Sequence, residues 1–321
     1  MPPPRRPSRV SLQRALELAE RGRATAHPNP VVGAVLVRES EVVGEGWHER
    51  PGSPHAEVNA IEAAGERARG ATLYVTQEPC SHHGRTPPCV DAVLAAGIAR
   101  VVTGSLDPHP DHGGGLERLS AAGVETELVD SFEARQQNEA WRTWVGQGRP
   151  FVTYKVAVTL DGRVTVPGSR WISGEESRRL VHELRAAADA VAVGMGTVRA
   201  DAPRLDARDV DAPRQPRRLA FGRRPLPEDS DLELLAGPLD RELARLAAEG
   251  VQSLLLEGGP TLATAFLEAG LVDKLLVFVA PLVGGDGPRF LADLDAPIPL
   301  FRLNARPVGE DILLTAYIHE P

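Results

Sequence analysis

Helical and strand-like hydrophobic patterns alternate along the first 130 residues. Apolar residues recur at helical spacing in "SLQRALELAERG", where Ser11 is a suitable N-cap. Segments of β-branched residues indicate strands, and helical patterns stand between them. The predicted strands are "VVGAVLV", "EVVGEGWH", "ATLYVTQEP", "ARVVTGSLDP" and "VETELVD", and the predicted helices are "HAEVNAIEAAG", "PPCVDAVLAAG" and "GLERLSAAG". This alternation predicts a three-layer α/β domain that ends near Asp130.

A second α/β series follows a polar stretch. Residues 131–150 contain two tryptophans and end in "GQGRP", so we interpret them as the connection. The second series predicts the strands "FVTYKVAVTLDGRV", "AVAVGMG", "RRLAFG", "SLLLEGG", "KLLVFVAPLV" and "DILLTAYI", and the helices "EESRRLVHELRAAAD", one near Arg241, and "TLATAFLEAG". We expect loops around "RRLAFG" in residues 201–231. The predicted organisation is a disordered tail (1–9), a first domain (10–145) and a second domain (146–321).

Composition narrows the class of protein. A chain of 321 residues with 42% apolar residues is ordinary for a globular protein of two domains. The net charge of −8 and an aromatic content of 4% argue against a nucleic-acid surface. We find neither a secretory signal nor an apolar run long enough for a membrane span. The expectation is a cytoplasmic enzyme that acts on a small molecule and binds neither nucleic acid nor membrane.

Both cysteines of the chain lie in one short segment. Cys80 and Cys89 occur in "EPCSHHGRTPPC", downstream of "HAEVNAI", which contains His55 and Glu57. One imidazole and two thiolates form a three-ligand zinc site that leaves the fourth position open for water. Zinc lowers the pKa of such a water to about 7, and Glu57 is free to carry protons. We therefore predict one zinc per chain, held by the three ligands, with Glu57 as the catalytic residue.

Two structural alternatives remain open for this cluster. His82 or His83 could supply a fourth ligand and close the site, which would make the zinc structural. Alternatively, the two cysteines could be inert thiols without a metal.

The pattern H-x-E…P-C…C is the signature of zinc-dependent nucleoside and nucleobase deaminases. Here eight residues, "SHHGRTPP", separate the cysteines instead of the usual two. That insertion, with "HPNPVVGAVLV", resembles the deaminase domain of the bifunctional riboflavin-biosynthesis deaminase/reductases. The second half is similar to their reductase domain in "TLDGR", "WIS", "HELRAAADAVAVGMGTVRAD", "LLLEGGPTLATAFLEAGLVDKL" and "APLVGG". The resemblance implies a cytidine-deaminase-like domain followed by a dihydrofolate-reductase-like domain.

The resemblance also implies a function in riboflavin biosynthesis. The first domain would deaminate 2,5-diamino-6-(ribosylamino)pyrimidin-4-one 5′-phosphate, and the second would reduce the ribosyl group to ribityl with NADPH. Substrate contacts are implied for Asn29, His48, His82 and Arg85. Asn29 could instead be a turn residue, and His48 or Arg85 a solvated surface residue. The resemblance also implies a homo-oligomer formed through the reductase domain.

Matching positions in the second domain imply two further sets of residues. The cofactor contacts would be Val158, Trp171, Thr197, Asp201, Gly222, Gly259, Pro260 and Thr261. The substrate contacts would be Ser169, Arg185, Leu205, Arg208 and Glu257. "GGPTLATA" carries the clearest physical argument, because glycines let the backbone approach a ligand and free amides at a helix start attract phosphate. A tight turn would need the same glycines, and Trp171, Asp201 and Arg185 could serve packing, capping or solvation.

Two departures from the family bear on cofactor binding. Phe221 and Gly222 stand where the family often has Asp-Ser, and residues 227–250 are short for the usual strand and helix. Arg223 and Arg224 follow the predicted strand and could pair with the 2′-phosphate of NADPH, or form an exposed basic turn. Three rival functions remain: a nucleic-acid deaminase, a zinc-stabilised binding protein, and a deaminase whose degenerate second domain serves dimerisation.

Overall fold

The computed structural model describes residues 7–84, 86–109, 112–212 and 214–321. The chain divides between Gln147 and Gly148 into two compact units, the second of which comprises Gly148–Glu320. Each unit has its own hydrophobic cores, which are built from buried aliphatic residues of its own strands and helices. No helix within the described residues combines the length and the apolar character that a membrane span requires.

The first unit is a sheet with helices packed against it. Its strands are β1 (Gly33–Arg38), β2 (Glu41–Trp47), β3 (Thr72–Val75), β4 (Arg100–Thr103) and β5 (Glu125–Leu128). Its helices are α1 (Pro7–Ala19), α2 (Ala56–Ala64), α3 (Cys89–Ala96), α4 (Gly115–Ala121), α5 (Phe132–Gln137) and α6 (Glu139–Gln147). The described strands are ordered β2-β1-β3-β4-β5, with β1 antiparallel to both neighbours and β3, β4 and β5 parallel.

A glycine in β2 fixes the position of α2. A Cβ atom at Gly46 would lie 2.4 Å from the carbonyl oxygen of Ala56, so only glycine lets the helix start this close to the strand. Buried Ala56 and Ala60 face the same sheet and add little bulk. Gly46 in β2 and the alanines Ala56 and Ala60 in α2 therefore allow the start of α2 to lie directly against the sheet.

Three sequence-based expectations for the first unit were wrong. Ser11 does not cap α1, because the helix already begins at Pro7, and residues 7–9 are therefore helical rather than part of a tail. Residues 131–147 are not a connecting segment, since they form α5 and α6, and Ser131 accepts a hydrogen bond from the Ala134 amide as the N-cap of α5. Polar composition had concealed these two short helices.

The second unit contains a larger mixed sheet. Its strands are β6 (Phe151–Thr159), β7 (Ala190–Gly194), β8 (Arg217–Phe221), β9 (Glu233–Leu235), β10 (Ser253–Leu256), β11 (Lys274–Ala280), β12 (Phe301–Val308) and β13 (Asp311–Tyr317). Its helices are α7 (Glu175–Ala187), α8 (Met195–Asp201), α9 (Leu239–Ala248) and α10 (Pro260–Glu268). The described strands are ordered β12-β13-β11-β6-β10-β7-β8-β9, and those from β11 to β9 run parallel.

A buried ion pair ties the start of the second unit to its sheet. Arg149 donates to both carboxylate oxygens of Asp273, at 2.7 and 2.6 Å. Asp273 also accepts from the amide of Val152, the second residue of β6. The segment "GRP", interpreted as the end of a linker, is therefore anchored next to the first residues of β6 and β11.

The predicted strands and helices of the second unit are present, together with three elements that the sequence pattern did not reveal. These are α8, β9 and β12. Residues 227–250 are short but still hold a strand and a helix, β9 and α9. The helix predicted near Arg241 is therefore present, and the short segment keeps both elements.

Candidate active sites

Three elements of the first unit converge on the predicted metal ligands. His55 is the N-cap of α2, Cys80 follows β3 in a loop, and Cys89 is the first residue of α3. Their donor atoms all lie within 4.8 Å of one another. The His55 Nδ1 atom is 3.1 Å from Cys89 Sγ and 3.6 Å from Cys80 Sγ. The folded chain thus gathers one imidazole and two thiols from segments that are 25 to 34 residues apart.

The chemistry and spacing of this donor set fit zinc. Zinc bonds of about 2.0 to 2.3 Å in a tetrahedron place donor atoms about 3.6 to 3.8 Å apart, close to the separations seen here. Hydrogen bonds from the Cys89 thiol, from His55 and from the Cys89 amide lower the pKa of the Cys80 thiol. One ligand is therefore already predisposed to be a thiolate, the form that binds metal.

Thr86 is a member of this site that sequence reasoning missed. Its hydroxyl lies 3.3 Å from His55 Nε2, while Nδ1 of the same ring faces the thiols. A partner on the second ring nitrogen fixes the tautomer and the orientation of a ligating histidine. The signal in the sequence was weak, because "GRTPPC" shows only that a threonine precedes the second cysteine.

His82 and His83 are not part of the ligand cluster. Within the described residues, the ligand group contains only His55, Cys80 and Cys89, so the closed site with a fourth protein ligand was wrong. His82 instead stacks on His112, with ring centroids 3.7 Å apart, and His112 stacks on His109. Arg85, the other predicted contact in this loop, lies outside the described residues.

Glu57 lies in the first turn of α2, two residues after His55. Its side chain is buried, with the residue 3% exposed. Burial raises the pKa of Glu57 to about 7, and a charged His55 opposes this shift. A divalent cation beside the carboxylate would lower this pKa, so about 7 is the value that the protein's own groups set. A carboxylate with a raised pKa can both accept and return a proton near neutral pH.

Asn29 and His48 are adjacent at the same site. Asn29 Nδ2 lies 3.0 Å from His48 Nε2, and the His48 ring meets the His55 ring edge to face with centroids 5.2 Å apart. Burial lowers the pKa of His48, which is a buried residue. Two of the four predicted substrate contacts of the first unit therefore touch each other, and one of them lies beside a predicted metal ligand.

In the second unit, several predicted cofactor residues gather at one edge of the sheet. Val158 is the next-to-last residue of β6, Gly222 follows β8, and Gly259 follows β10. These strands are parallel, so their carboxyl ends meet at the same edge, where open α/β sheets bind ligands. A Cβ atom at Gly259 would lie 3.7 Å from the Thr197 hydroxyl, which places the segment after β7 next to the segment after β10.

Two helix starts at this edge fit the phosphates of a dinucleotide. Gly194 is the N-cap of α8, and Gly259 is the N-cap of α10, followed by Pro260 and Thr261. Neither cap supplies a side-chain hydrogen bond, so the first amides of both helices stay available. Such amides together with the helix dipole favour phosphate groups.

Gly222 has a local packing reason that explains one departure from the family. A Cβ atom at Gly222 would lie only 2.2 Å from the Cγ atom of Met195. Phe221 is buried and meets Phe266 edge to face. Met195 thus occupies the space that a serine side chain would need, and the Phe-Gly pair is adapted to this core.

Glu257 lies at the centre of a buried ionic cluster. Arg185 donates to both of its carboxylate oxygens, at 2.6 and 2.9 Å, and Lys155 Nζ lies 3.1 Å from Oε2. Burial alone would raise the pKa of Glu257, but Lys155 and Arg185 outweigh burial and lower the pKa to about 2. The carboxylate is therefore a fixed negative charge between two cations.

Lys155 was missed by sequence reasoning, although a signal was present. It stands in β6, whose other residues are predominantly apolar. A lysine in a strand that neighbours other strands on both sides requires a partner, because an unpaired buried ammonium group is costly. That position could have been recognised as part of a polar site before the structure was known.

The predicted substrate residues 205 and 208 belong to a loop held beside this cluster. Leu205 has a positive φ of 55°, and its side chain is buried in the core. Only the backbone of Leu205 is therefore placed to contact a ligand. Arg185 donates to the Asp206 carbonyl oxygen, and Arg208 pairs with the Asp206 carboxylate at 2.6 Å. A positive φ at a buried leucine stores backbone strain of the kind found at binding sites.

Ser169, Trp171 and Asp201 are exposed and lie apart from this network. The Ser169 hydroxyl donates to the Trp171 carbonyl oxygen at 2.7 Å. Arg170 and Arg178 lie 5.0 and 5.3 Å from the Trp171 ring centroid. Asp201 is the last residue of α8. Within the described residues, no hydrogen bond joins any of the three to the Glu257 cluster.

A buried carboxylate beside one imidazole and two thiols, on an α/β sheet, defines the first unit as a zinc-dependent deaminase of the cytidine-deaminase type. Residues 7–105 match the model of the cytidine and deoxycytidylate deaminase zinc-binding region, and residues 150–314 match the model of the RibD C-terminal domain. The predicted zinc cofactor is confirmed. The chain belongs to the RibD family of riboflavin biosynthesis proteins.

Full-length relatives and solved structures agree with this assignment. Riboflavin biosynthesis protein RibD of Escherichia coli is 41% identical, with 94% of this chain and 97% of that protein covered. RibD of Aquifex aeolicus is 40% identical, with 94% and 95% covered. The structure of Acinetobacter baumannii RibD has a TM-score of 0.84 at 35% identity, with 97% of this chain and 98% of that chain covered.

A Thermotoga maritima structure described as a diaminohydroxyphosphoribosylaminopyrimidine deaminase/5-amino-6-(5-phosphoribosylamino)uracil reductase has a TM-score of 0.81 at 34% identity, with 97% and 98% covered. The predicted fold class, a cytidine-deaminase-like unit followed by a dihydrofolate-reductase-like unit, is confirmed by the full-length matches. Membership in the family is also consistent with NADPH as the cofactor of the second unit.

Proposed function

We propose that this chain carries out two successive steps of riboflavin biosynthesis. The first is hydrolytic deamination of 2,5-diamino-6-(ribosylamino)pyrimidin-4-one 5′-phosphate. The second is reduction of the ribosyl group of that product to ribityl. The observation that carries the proposal is the pair of buried glutamates, Glu57 beside the zinc ligands and Glu257 between two cations, in a chain of the RibD family. We assign deamination to residues 10–145 and reduction to residues 146–321.

In the first step, water replaces the ring amino group, which leaves as ammonia. We assign zinc binding to His55, Cys80 and Cys89. When bound, zinc supplies Lewis-acid activation of water by lowering the pKa of that water. The Glu57 carboxylate accepts one proton from the attacking water and passes it to the ring, and it then accepts the remaining hydroxyl proton and passes it to the departing amine. Burial of Glu57 keeps bulk water from competing for that proton.

In the second step, the sugar carbon is reduced. NADPH, held at the carboxyl edge of the second sheet, would supply a hydride to that carbon, and a proton from water would supply the second hydrogen. The Glu257 carboxylate holds Lys155 and Arg185 in place, and Arg185 also donates to the Asp206 carbonyl oxygen in the segment that carries Arg208. A fixed cationic cluster of this kind suits a phosphorylated, hydroxyl-rich substrate.

The remaining predicted contacts are assigned to the same two sites. Substrate contacts are proposed for Asn29, His82, Arg85, Ser169, Arg185, Leu205, Arg208 and Glu257, and His48 is assigned to the same site as the neighbour of Asn29. Cofactor contacts are proposed for Val158, Trp171, Thr197, Asp201, Gly222, Gly259, Pro260 and Thr261. We also propose a homo-oligomer formed through the second unit and a cytoplasmic location, where the thiols of Cys80 and Cys89 stay reduced.

The rival functions have less support. The matched RibD C-terminal domain and the intact Glu257 cluster argue against a degenerate second unit. Assays on the purified chain test the proposal. Ammonia should be released from the diaminopyrimidine nucleotide without NADPH, and NADPH should be oxidised only with the deaminated product present. Ammonia release from RNA alone, or no ammonia release at all, would contradict the proposed function.

A further inference from the structure

Asn29 and His48 form a contact whose geometry assigns them unequal roles. The backbone amide of Asn29 donates to Ala26 at 2.8 Å, and that of His48 donates to Val32 at 2.9 Å. Both residues therefore stand on fixed backbone at the site. His48 is 3% exposed, whereas Asn29 is partly exposed. The histidine is the inner member of the pair and the asparagine is the outer one.

The surroundings of His48 define its tautomer. Nδ1 faces the carbonyl oxygen of Pro54 at 3.4 Å, and a carbonyl oxygen can only accept. Nδ1 must therefore carry the hydrogen. In a neutral imidazole Nε2 then has no hydrogen and can only accept. The group that faces Nε2, at 3.0 Å, is the side-chain amide of Asn29.

This tautomer fixes the orientation of the Asn29 amide. An Nε2 atom that can only accept requires the NH₂ group of Asn29, so the carbonyl Oδ1 of Asn29 points the other way. Within the described residues, that Oδ1 atom has no hydrogen-bond partner. Without His48 the amide could turn by half a rotation and present donors instead of an acceptor.

We propose that His48 is a positioning residue, which orients Asn29 so that its carbonyl oxygen accepts a hydrogen bond from an N–H group of the aminopyrimidine ring. The proposal rests on the proposed deaminase function and refines it. Both ring nitrogens of His48 are occupied, by Pro54 and by Asn29, so the histidine acts on the substrate through Asn29 rather than by a contact of its own. Asn29 and His48 would therefore favour a pyrimidine whose ring nitrogen carries a hydrogen over a pyrimidine whose nitrogen at that position can only accept.

A double-mutant cycle tests this assignment. Asn29→Ala, His48→Asn and the double variant are compared with the wild type by kcat/KM for ammonia release. Loss of one hydrogen bond to the substrate should lower kcat/KM by about 10- to 100-fold in Asn29→Ala. His48→Asn should cause a similar loss, and in the Asn29→Ala background it should cause no further loss.

His48→Gln provides the second arm. The side-chain oxygen of glutamine can take the place of Nε2 and accept from Asn29, so His48→Gln should recover most of the activity that His48→Asn loses. His27→Asn, at an exposed histidine of the same turn, is the matched control and should match the wild type. Zinc content and NADPH oxidation on the deaminated product should stay at wild-type levels in every variant.

The possible outcomes distinguish a failure of the role proposed for His48 from a failure of the proposed deaminase function. Multiplicative losses in the cycle would mean that His48 touches the substrate directly, and would overturn the proposal. Equal losses in His48→Gln and His48→Asn would overturn it too, because the acceptor at Nε2 would then be irrelevant. A wild type that releases no ammonia would overturn the proposed function itself, and this proposal with it.

Discussion

Glu57 and Glu257 are both buried, and their surroundings give them opposite properties. Glu57 lies beside His55 and the two cysteines, and burial raises its pKa to about 7 although a charged His55 opposes the shift. Glu257 is also largely enclosed, with its side chain 9% exposed, but it lies between Lys155 and Arg185, which outweigh burial and lower its pKa to about 2. The same side chain thus serves as a proton carrier in one unit and as a fixed charge in the other.

The comparison also separates two ways in which a fold tolerates a buried carboxylate. In the first unit the cost of burial is relieved when the carboxylate takes up a proton, which is useful for acid–base chemistry. In the second unit the cost is offset by paired cations, which is useful for positioning a substrate. Removal of the negative charge should therefore affect catalysis at Glu57 and both stability and catalysis at Glu257.

The largest expected effect comes from Glu57→Gln, which removes the proton-carrying carboxylate of the first unit. Glutamine keeps the size and hydrogen-bonding ability of the residue but cannot accept a proton. Ammonia release should fall by about 10² to 10⁴, while zinc content and NADPH oxidation on the deaminated product stay unchanged. Loss of zinc in Glu57→Gln would make Glu57 a ligand, and unchanged ammonia release would remove it from the mechanism.

Glu257→Gln removes the fixed negative charge of the second unit. It leaves Arg185 and Lys155 buried without a counter-charge, so the free energy of unfolding of the second unit should fall by about 3 to 5 kcal/mol, and NADPH oxidation should be lost. Denaturant unfolding and enzyme assays measure both effects, and ammonia release should persist.

Glu183→Gln is the matched control for that experiment. Glu183 lies on the same helix as Arg185 but forms only an exposed pair with Arg179, so its loss should change the free energy of unfolding by less than about 1 kcal/mol. Equal effects of Glu183→Gln and Glu257→Gln would contradict the account of the cluster.

The pH dependence of stability tests whether Glu257 is charged in the folded protein. The folded-state pKa of Glu257, about 2, lies below its ordinary value of 4.5. Its contribution to stability is therefore fully present above about pH 6 and is lost progressively as the pH falls through 4.5 toward 2. The stability difference between the wild type and Glu257→Gln should be constant from about pH 6 to 8 and smaller by about 1 kcal/mol at pH 4. A difference that grows on acidification would refute the assigned charge.

The smallest effect is expected at the predicted 2′-phosphate contact. Arg223 and Arg224 are exposed and follow β8, next to Gly222. The wild type should prefer NADPH to NADH, and an Arg223→Ala/Arg224→Ala double variant should lose about fivefold of that preference, since exposed ion pairs are weak. Steady-state kinetics with both cofactors measure the ratio. Equal use of both cofactors by the wild type would exclude this role.

The sequence allowed the zinc cluster to be predicted because each ligand type is rare and informative. With only two cysteines in the chain, Cys80 and Cys89 could be paired with the upstream His55 without any structural information. Thr86 gave only a weak signal, and the lysine at position 155 indicates a polar site without identifying its partner. Their roles depend on which side chain lies opposite them across the fold, and that is decided by tertiary packing.

The missed elements have physical reasons too. The strand β12 alternates apolar and polar residues from Phe301 to Arg306, but it is exposed along its length and contains Pro307, a residue that is uncommon inside strands. Helix α8 is one short segment directly after a strand, and its glycine weakens the helical signal. Helices α5 and α6 are short, with six and nine residues, and mostly polar, so their helical periodicity extends over too few residues to distinguish them from a polar connection.

Product masses from three proteins test the central claim most directly. Each is incubated with the diaminopyrimidine nucleotide and NADPH. The wild type should exchange one amino group for oxygen and then add two hydrogens. Glu257→Gln should stop after the exchange, and Glu57→Gln should leave the substrate unchanged yet reduce the deaminated intermediate when it is supplied. A doubly converted product from either variant at the wild-type rate would contradict the assignment of one reaction to each buried glutamate.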